Sequence, residues 1–157
     1  MPEDTATRHG TLELVVRRTI AATPEQLFAA WTQPERLRQW WGPEGVTCID
    51  AAVDLHPGGR YRIGNRFPDG RVLWITGEYR IVEPPTKLVY TWQIESEANA
   101  PEMVTVRFEQ RKNGTEVIVT HERIPDPSTR KQHDQGWQGC LSGLADYILA
   151  GRPSLSV

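Results

Sequence analysis

The sequence contains little of what several functional classes require. It has only two cysteines, Cys48 and Cys140, and their spacing does not match a metal site. Without a secretory context they are expected to be buried, reduced thiols and not a disulfide. The 18 basic and 20 acidic residues leave a net charge of −2, without the basic surplus of proteins that neutralise phosphates. This charge balance argues against nucleic acid as a partner.

Long apolar runs are also missing. No segment reaches the roughly 18 consecutive apolar residues of a membrane span, and the polar amino terminus is unlike a signal peptide. We therefore expect a cytoplasmic protein. A chain of 157 residues is long enough for one substantial core, so we expect a single domain over residues 1–157 with its core at about 11–150.

The longest regular pattern in the chain predicts a helix from about Ser128 to Ala150, with Asp126 suited to cap its start. Four apolar residues recur there at helical spacing and form one stripe: Trp137, Leu141, Leu144 and Ile148. A neighbouring row contains Gly136, Cys140, Gly143 and Tyr147. Each glycine inside a helix costs about 1 kcal/mol relative to alanine. The glycines therefore predict either a very close contact with a sheet or a hollow.

The remaining pattern alternates between strand and helix periods. Leu12 to Ile20 predicts a first strand, a capping box at Thr23–Gln26 begins a short helix, and Pro34–Trp40 predicts a second short helix. Six antiparallel strands are then predicted at about 46–55, 60–67, 72–82, 88–92, 104–108 and 117–121. The expected fold is α+β, with about seven curved antiparallel strands wrapped around the long carboxy-terminal helix. A straight helix cannot fill a bent sheet everywhere, so a cavity between them is expected.

Five motifs occur in an order that resembles a known superfamily. They are Pro24–Trp31, Trp40–Pro43, Asp54–Tyr61, Pro84-Pro85 leading to Leu88–Trp92, and Gly136-Trp137 with Leu141 and Leu144. Over about residues 11–150 this order resembles the START-like, or SRPBCC, superfamily with its helix-grip fold, shared with the birch-pollen allergen. Within it, the chain is most similar to the bacterial family named after the activator of the heat-shock-protein-90 ATPase. The resemblance implies the fold, whereas the superfamily's functions include lipid carriers, cyclases, hydroxylase subunits and chaperone regulators.

Aromatic residues are the first candidates for a binding site, because the sequence has six tryptophans and four tyrosines. If they face the trough, they form an apolar pocket with a few polar tips; alternatively, they fill the core. The predicted ligand-binding residues are Trp40, Trp41, Tyr61, Tyr79, Tyr90, Trp92, His121, Trp137 and Cys140. The two adjacent tryptophans are expected at the mouth of the pocket.

His121 is the best titratable candidate, since it continues the inward face of its strand. The alternative is a core histidine whose hydrogen bonds are satisfied. The four histidines, His9, His56, His121 and His133, lie on separate elements without paired ligand spacing, so no metal and no cofactor are expected. His133 is assigned a surface or capping role, and Cys140 has no basic neighbour that would activate its thiol.

Three functions remain open. The leading hypothesis is binding of a small hydrophobic or aromatic ligand, and the second is a cyclase- or aromatase-like enzyme in which His121 moves a proton. No catalytic residue is assigned, and binding is favoured over catalysis. The third is regulation of a chaperone ATPase through an exposed Trp40–Pro43 segment or the convex face of the sheet. The eukaryotic activator has a separate amino-terminal domain that is not seen here, which argues against direct chaperone activation. The expected state is a monomer or a homodimer.

Overall fold

The structure, a computed structural model, describes residues 10–42, 45–97 and 99–151. Its elements in chain order are β1 Leu12–Ile20, α1 Pro24–Thr32, α2 Pro34–Trp40, β2 Thr47–Val53, β3 Arg60–Arg66, β4 Val72–Glu83, β5 Lys87–Ile94, β6 Glu102–Arg111, β7 Gly114–Ile124 and α3 Pro127–Ala150. The order predicted from the sequence is therefore present. Predicted and observed boundaries differ by a few residues, since propensity does not fix where strand pairing stops.

The seven strands form one sheet in the order β1-β7-β6-β5-β4-β3-β2, and all neighbours pair antiparallel. This curved sheet with two short helices and one long helix confirms the α+β helix-grip prediction. A sheet of this width twists and coils because each strand carries the right-handed twist of L-residues. Its concave face carries the core, and α3 crosses that face.

Side-chain hydrogen bonds cap the first turns of α1 and α3 at the residues that the sequence predicted. The Thr23 hydroxyl accepts a hydrogen bond from the Gln26 backbone N–H at 3.1 Å, and the Gln26 side chain accepts one from the Thr23 N–H at 2.9 Å. Asp126 accepts a hydrogen bond from the Thr129 N–H at 2.8 Å. These bonds satisfy backbone donors that a helix leaves unpaired in its first turn.

Gly77 marks a close approach between strands and not a bulge. It pairs regularly with Tyr61, whereas the register shift between β4 and β5 lies between Tyr79 and Ile81. A Cβ at Gly77 would overlap the Thr91 carbonyl oxygen. Packing between β4 and β5 therefore requires a glycine at this position.

The glycines of α3 serve two different purposes. A Cβ at Gly143 would lie 2.9 Å from the Trp40 carbonyl oxygen, so this glycine allows α3 to approach α2 closely. At Gly136, in contrast, no described atom lies within 4 Å of the Cβ position. The hollow that the sequence allowed is therefore present at Gly136, whereas the close contact, which was expected with a sheet, is made with helix α2 at Gly143.

Candidate functional site

The concave face of the sheet is only partly filled by α3. The helix packs against β1, β7 and α2, and a cavity of about 540 Å³ remains between it and strands β3 to β5. We call this space the main cavity. On the helix side it is lined by Gln132, His133, Gly136, Trp137 and Cys140, and on the sheet side by Asn65, Leu73, Ile75, Trp92 and Ile94. Trp41, Val46, Phe67, Arg71 and His121 complete the lining.

The nine predicted ligand-binding residues occupy two different regions. Five of them line the main cavity: Trp41, Trp92, His121, Trp137 and Cys140. Tyr61, Tyr79 and Tyr90 pack on one another with ring centroids 5.1 to 5.9 Å apart, beside a void of about 10 Å³. Trp40 is buried, and its indole N–H donates to the Ala30 carbonyl at 2.9 Å. The three tyrosines and Trp40 thus lie in the packed core.

Trp41 and Trp137 form a rigid wall of the main cavity. Their ring centroids are 5.7 Å apart at an interplanar angle of 89°. Behind them, Trp31 stacks on Trp137 at 6.0 Å and 18°. Such edge-to-face and stacked pairs fix ring orientation as well as burying apolar area. This packing holds the Trp41 and Trp137 rings in place.

This packing contradicts the prediction that the Trp40–Pro43 segment is exposed. Trp40 is only 4% exposed and Trp41 only 7% exposed, since both rings join the aromatic core. Pro43 lies outside the described residues. Neither tryptophan offers a surface for a protein partner.

A cluster of three ionisable side chains lies at one end of the main cavity, and two of them, His121 and His133, line it. The Glu102 Oε1 atom lies 2.7 Å from His121 Nε2 and 2.7 Å from His133 Nε2. The two imidazole rings stack at 4.3 Å and 19°. Trp137 Nε1 lies 3.0 Å from His121 Nδ1. We call Glu102, His121 and His133 the Glu102 cluster; it joins β6, β7 and α3.

The Trp137 indole fixes the tautomer of His121. An indole N–H can only donate, so His121 Nδ1 must accept, and the ring proton must lie on Nε2, where it is donated to Glu102. Both ring nitrogens are then occupied. Burial lowers the pKa of His121 below its ordinary value, which keeps the ring neutral.

The two histidines favour the ionised form of the Glu102 carboxyl. Burial alone would raise the pKa of its carboxyl, but the hydrogen bonds that His121 and His133 donate outweigh burial and hold the pKa below its usual range. A carboxylate only accepts hydrogen bonds, so His133 also carries its proton on Nε2. Its Nδ1 atom receives no hydrogen bond from the described residues.

The Glu102 cluster also has the composition of a metal site. Its ligand atoms all lie within 4.8 Å of one another, although sequence spacing gave no such grouping. Binding a metal through Nε2 would move the His121 proton to Nδ1, directly opposite the Trp137 N–H. Metal-bound histidines instead donate their second N–H to an acceptor. The geometry therefore favours a shared carboxylate over a metal, and we assign none.

Two residues that line the main cavity each have one buried polar atom without a partner among the described residues. The atoms are the indole Nε1 of Trp41 and the amide Oδ1 of Asn65, neither of which bonds to any residue within 10–42, 45–97 or 99–151. Buried polar atoms are satisfied in nearly all native structures. Both atoms are enclosed by protein, so they do not face the space inside the cavity.

The sequence matches a known protein family over most of its length. The model of the family described as "Activator of Hsp90 ATPase homolog 1-like protein" matches residues 21–148, which is most of the chain. The protein belongs to this AHSA1-like family. No curated protein is similar to the chain at a significant level.

Solved structures share the AHSA1-like fold over nearly the whole chain. A Chromobacterium violaceum protein is 25% identical with a TM-score of 0.80, covering 87% of this chain and 96% of its own. A Rhodobacter sphaeroides protein is 26% identical with a TM-score of 0.77, covering 97% and 99%. An AHSA1 protein from Silicibacter pomeroyi is 25% identical with a TM-score of 0.79, covering 90% and 100%.

Across the described part of this AHSA1-like chain, no helix combines the length and apolar character needed to cross a bilayer.

The Cys140 thiol is not activated, because burial raises its pKa to about 12. The thiol is protonated at neutral pH and acts as an apolar wall atom.

Sequence reasoning did not assign Asn65, Glu102 or His133 to the site of this AHSA1-like protein. Each had a periodic signal. Asn65 continues the inward alternation of β3, and Glu102 that of β6. His133 precedes Gly136, Trp137 and Cys140 by three, four and seven positions, the spacing of one helix face.

Proposed function

We propose that the protein binds a small hydrophobic or aromatic molecule in the main cavity. The observation that supports this most is the cavity itself, about 540 Å³ and walled by Trp41, Trp92 and Trp137. Ligand sites in proteins typically measure about 300–1,000 Å³ and are mostly apolar with a few placed polar groups. The main cavity has that size and that composition.

Affinity at this site would come chiefly from apolar burial, worth about 25 cal/mol per Å² before the costs of ordering are subtracted. Those costs are small here because the walls are already fixed. Trp137 is held by its stack on Trp31 and by its hydrogen bond to His121. A rigid aromatic ligand loses less conformational freedom on binding to such a wall than a flexible ligand does, so it binds more tightly.

The direct test places a larger side chain on α3 so that it occupies part of the main cavity. In Gly136→Leu the new side chain enters space that no described atom occupies, so the fold is expected to persist. Binding of 2-naphthol, measured by calorimetry and by tryptophan fluorescence, should weaken at least tenfold. Gln135→Leu adds the same side chain at the adjacent exposed position and should bind like the wild type.

Unchanged affinity in Gly136→Leu would place binding elsewhere and contradict the proposal. Absence of binding by the wild type to 2-naphthol and to a panel of apolar ring compounds would do the same.

A second candidate function, a cyclase-like enzyme, is favoured by one observation. His133 lines the main cavity, and the Glu102 carboxylate orients its ring through a 2.7 Å hydrogen bond. A carboxylate-oriented imidazole is a common general base. Because both ring nitrogens of His121 are engaged, the proton-moving role passes from His121 to His133.

This candidate is tested with a cyclisable chain of alternating carbonyl and methylene groups. Wild-type protein should accelerate its ring closure, and His133→Gln should remove the acceleration, whereas the exposed His56→Gln should retain it. Equal rates for wild type and His133→Gln would exclude acid–base catalysis at this site.

Regulation of a chaperone ATPase rests on the family description alone. The tryptophans expected to make that contact are buried, and no other observation in the described residues favours it. We do not propose it for this chain.

A further inference from the structure

We infer that the ligand of the main cavity is an aromatic or hydrophobic acid whose carboxylate bonds to Arg71. This inference rests on the proposed function and specifies the chemical class of its ligand. It comes from the charges around the cavity. Among the described residues that line the main cavity, Arg71 is the one side chain with a permanent charge, and no carboxylate is present.

Arg71 lies at the rim of the main cavity. The Phe67 N–H donates to the Arg71 carbonyl at 2.8 Å, which continues the pairing of β3 with β4. Four residues later, Ile75 pairs with Ile94, the last residue of β5. At 3.3 Å per residue, Arg71 therefore lies about 13 Å beyond the end of β5. The residue is exposed, so a ligand can reach its side chain.

The Arg71 guanidinium is oriented but has no charged partner. Its Cζ atom lies 4.9 Å from the centroid of the Phe67 ring, and Phe67 also lines the main cavity. This cation–π contact positions the group without using its N–H donors. No residue within 10–42, 45–97 or 99–151 forms an ion pair with Arg71, in contrast to four other arginines: Arg17, Arg62, Arg80 and Arg111.

A carboxylate fits this guanidinium because two parallel N–H donors match its two oxygens. At the rim the carboxylate stays in contact with water, so it avoids the large cost of burying a charge. The ring of the same molecule can enter the space beside Trp92 and Trp137. The position of Arg71 therefore suits a molecule with an acid group at one end and an apolar body at the other.

The Glu102 cluster opposes the reverse orientation. Glu102 pairs with Trp92 in the register of β5 and β6, farther from the rim than Arg71. A ligand carboxylate beside His121 and His133 would be repelled by the Glu102 carboxylate behind them. Neither histidine could donate to it, since both give their Nε2 protons to Glu102. The charges therefore direct the acid group outward, to Arg71.

The test compares 2-naphthoate with 2-naphthamide, which have the same ring and nearly the same shape but differ in charge. At pH 7.5 we expect wild-type protein to bind 2-naphthoate about tenfold more tightly, and added salt should reduce this preference. Arg71→Gln should lose the preference by weakening 2-naphthoate alone. Arg66→Gln, at an exposed arginine outside the cavity lining, should retain it. Gly136→Leu should weaken both probes, because they share the main cavity.

Three results would overturn the inference. Equal binding of both probes by the wild type would leave the proposed cavity function standing and remove the acid requirement. A preference that persists in Arg71→Gln, or that Arg66→Gln removes equally, would assign the carboxylate to another group. Binding of neither probe, and of no apolar ring compound, would contradict the proposed function together with the inference.

Discussion

His121 accepts one hydrogen bond and donates another, and this arrangement makes the stability of the fold sensitive to acid. It accepts from Trp137 and donates to Glu102, with the His133 ring stacked on it. A second proton would have to be placed on Nδ1, facing the Trp137 N–H. The folded protein therefore resists protonation of His121.

Stability should fall as the pH drops below the ordinary histidine pKa of 6.5. The folded-state pKa of His121 is lowered, so only the unfolded chain gains this proton, and unfolding becomes easier by up to about 1.4 kcal/mol per pH unit. Glu102, whose folded pKa is also lowered, adds a further loss below its ordinary pKa of 4.5. Urea unfolding at pH 7.5, 6.5 and 5.5 measures the first decline.

His121→Gln should flatten the decline between pH 6.5 and 5.5, since its amide can still donate to Glu102 and accept from Trp137. The control is His56→Gln, at an exposed site. The pKa of His56 is raised by its bonds to Pro57 and Asp54, so its removal cannot flatten the curve. Equal slopes in wild type and His121→Gln would show that His121 is not the responsible group.

Asn65 gives a second prediction at the residue scale. Replacing it with leucine removes a buried polar atom that has no partner among the described residues, so the free energy of unfolding should rise by about 1 kcal/mol. Thermal and urea unfolding of the ligand-free protein measure the change. A loss of stability would mean that the Asn65 amide already has a hydrogen-bond partner in the folded protein.

At the scale of elements, α3 combines a tight contact and an open wall. Gly143 lets the helix approach the Trp40 carbonyl, whereas Gly136 faces space in the main cavity. Two alanine substitutions of the same kind on this helix therefore have opposite expected effects on stability.

Gly143→Ala should lower the free energy of unfolding by about 1–3 kcal/mol, because its methyl group would press on backbone that cannot move freely. Gly136→Ala should raise it by up to about 1 kcal/mol, since alanine is the better helix former and meets no atom. Urea midpoints at unchanged slope distinguish these effects from a change in the unfolded state. If the two variants changed in the same direction, this account of the helix would be wrong.

The elements could be predicted from the sequence because their signals are local. Alternation of side chains gave the strands, and the Thr23 and Asp126 caps gave two helix starts. The Glu102 cluster could not be assembled in this way. It depends on the register that places His121 opposite Val104, one inward position from Glu102, and on where the first turns of α3 cross the sheet. Sequence alternation does not specify either one.

At the scale of the whole molecule, the fold was predictable and the extent of filling was not. Periodicity placed the aromatic residues on the inward face, but the curvature of the sheet separates them. Tyr61, Tyr79 and Tyr90 pack on one another in the core. Trp41, Trp92 and Trp137 lie where the helix stands away from the sheet. Inward phase alone cannot distinguish packed residues from residues that line a cavity.

The central claim is that a small hydrophobic or aromatic molecule occupies the main cavity beside Trp41. Two-dimensional NMR of the indole N–H groups tests it most directly, because the six tryptophans report on different places. On saturation with 2-naphthol, the Trp41 and Trp137 signals should shift strongly, while that of Trp40, already bonded to Ala30, should move little. Shifts absent from Trp41 and Trp137, or confined to Trp74 outside the cavity lining, would contradict the account.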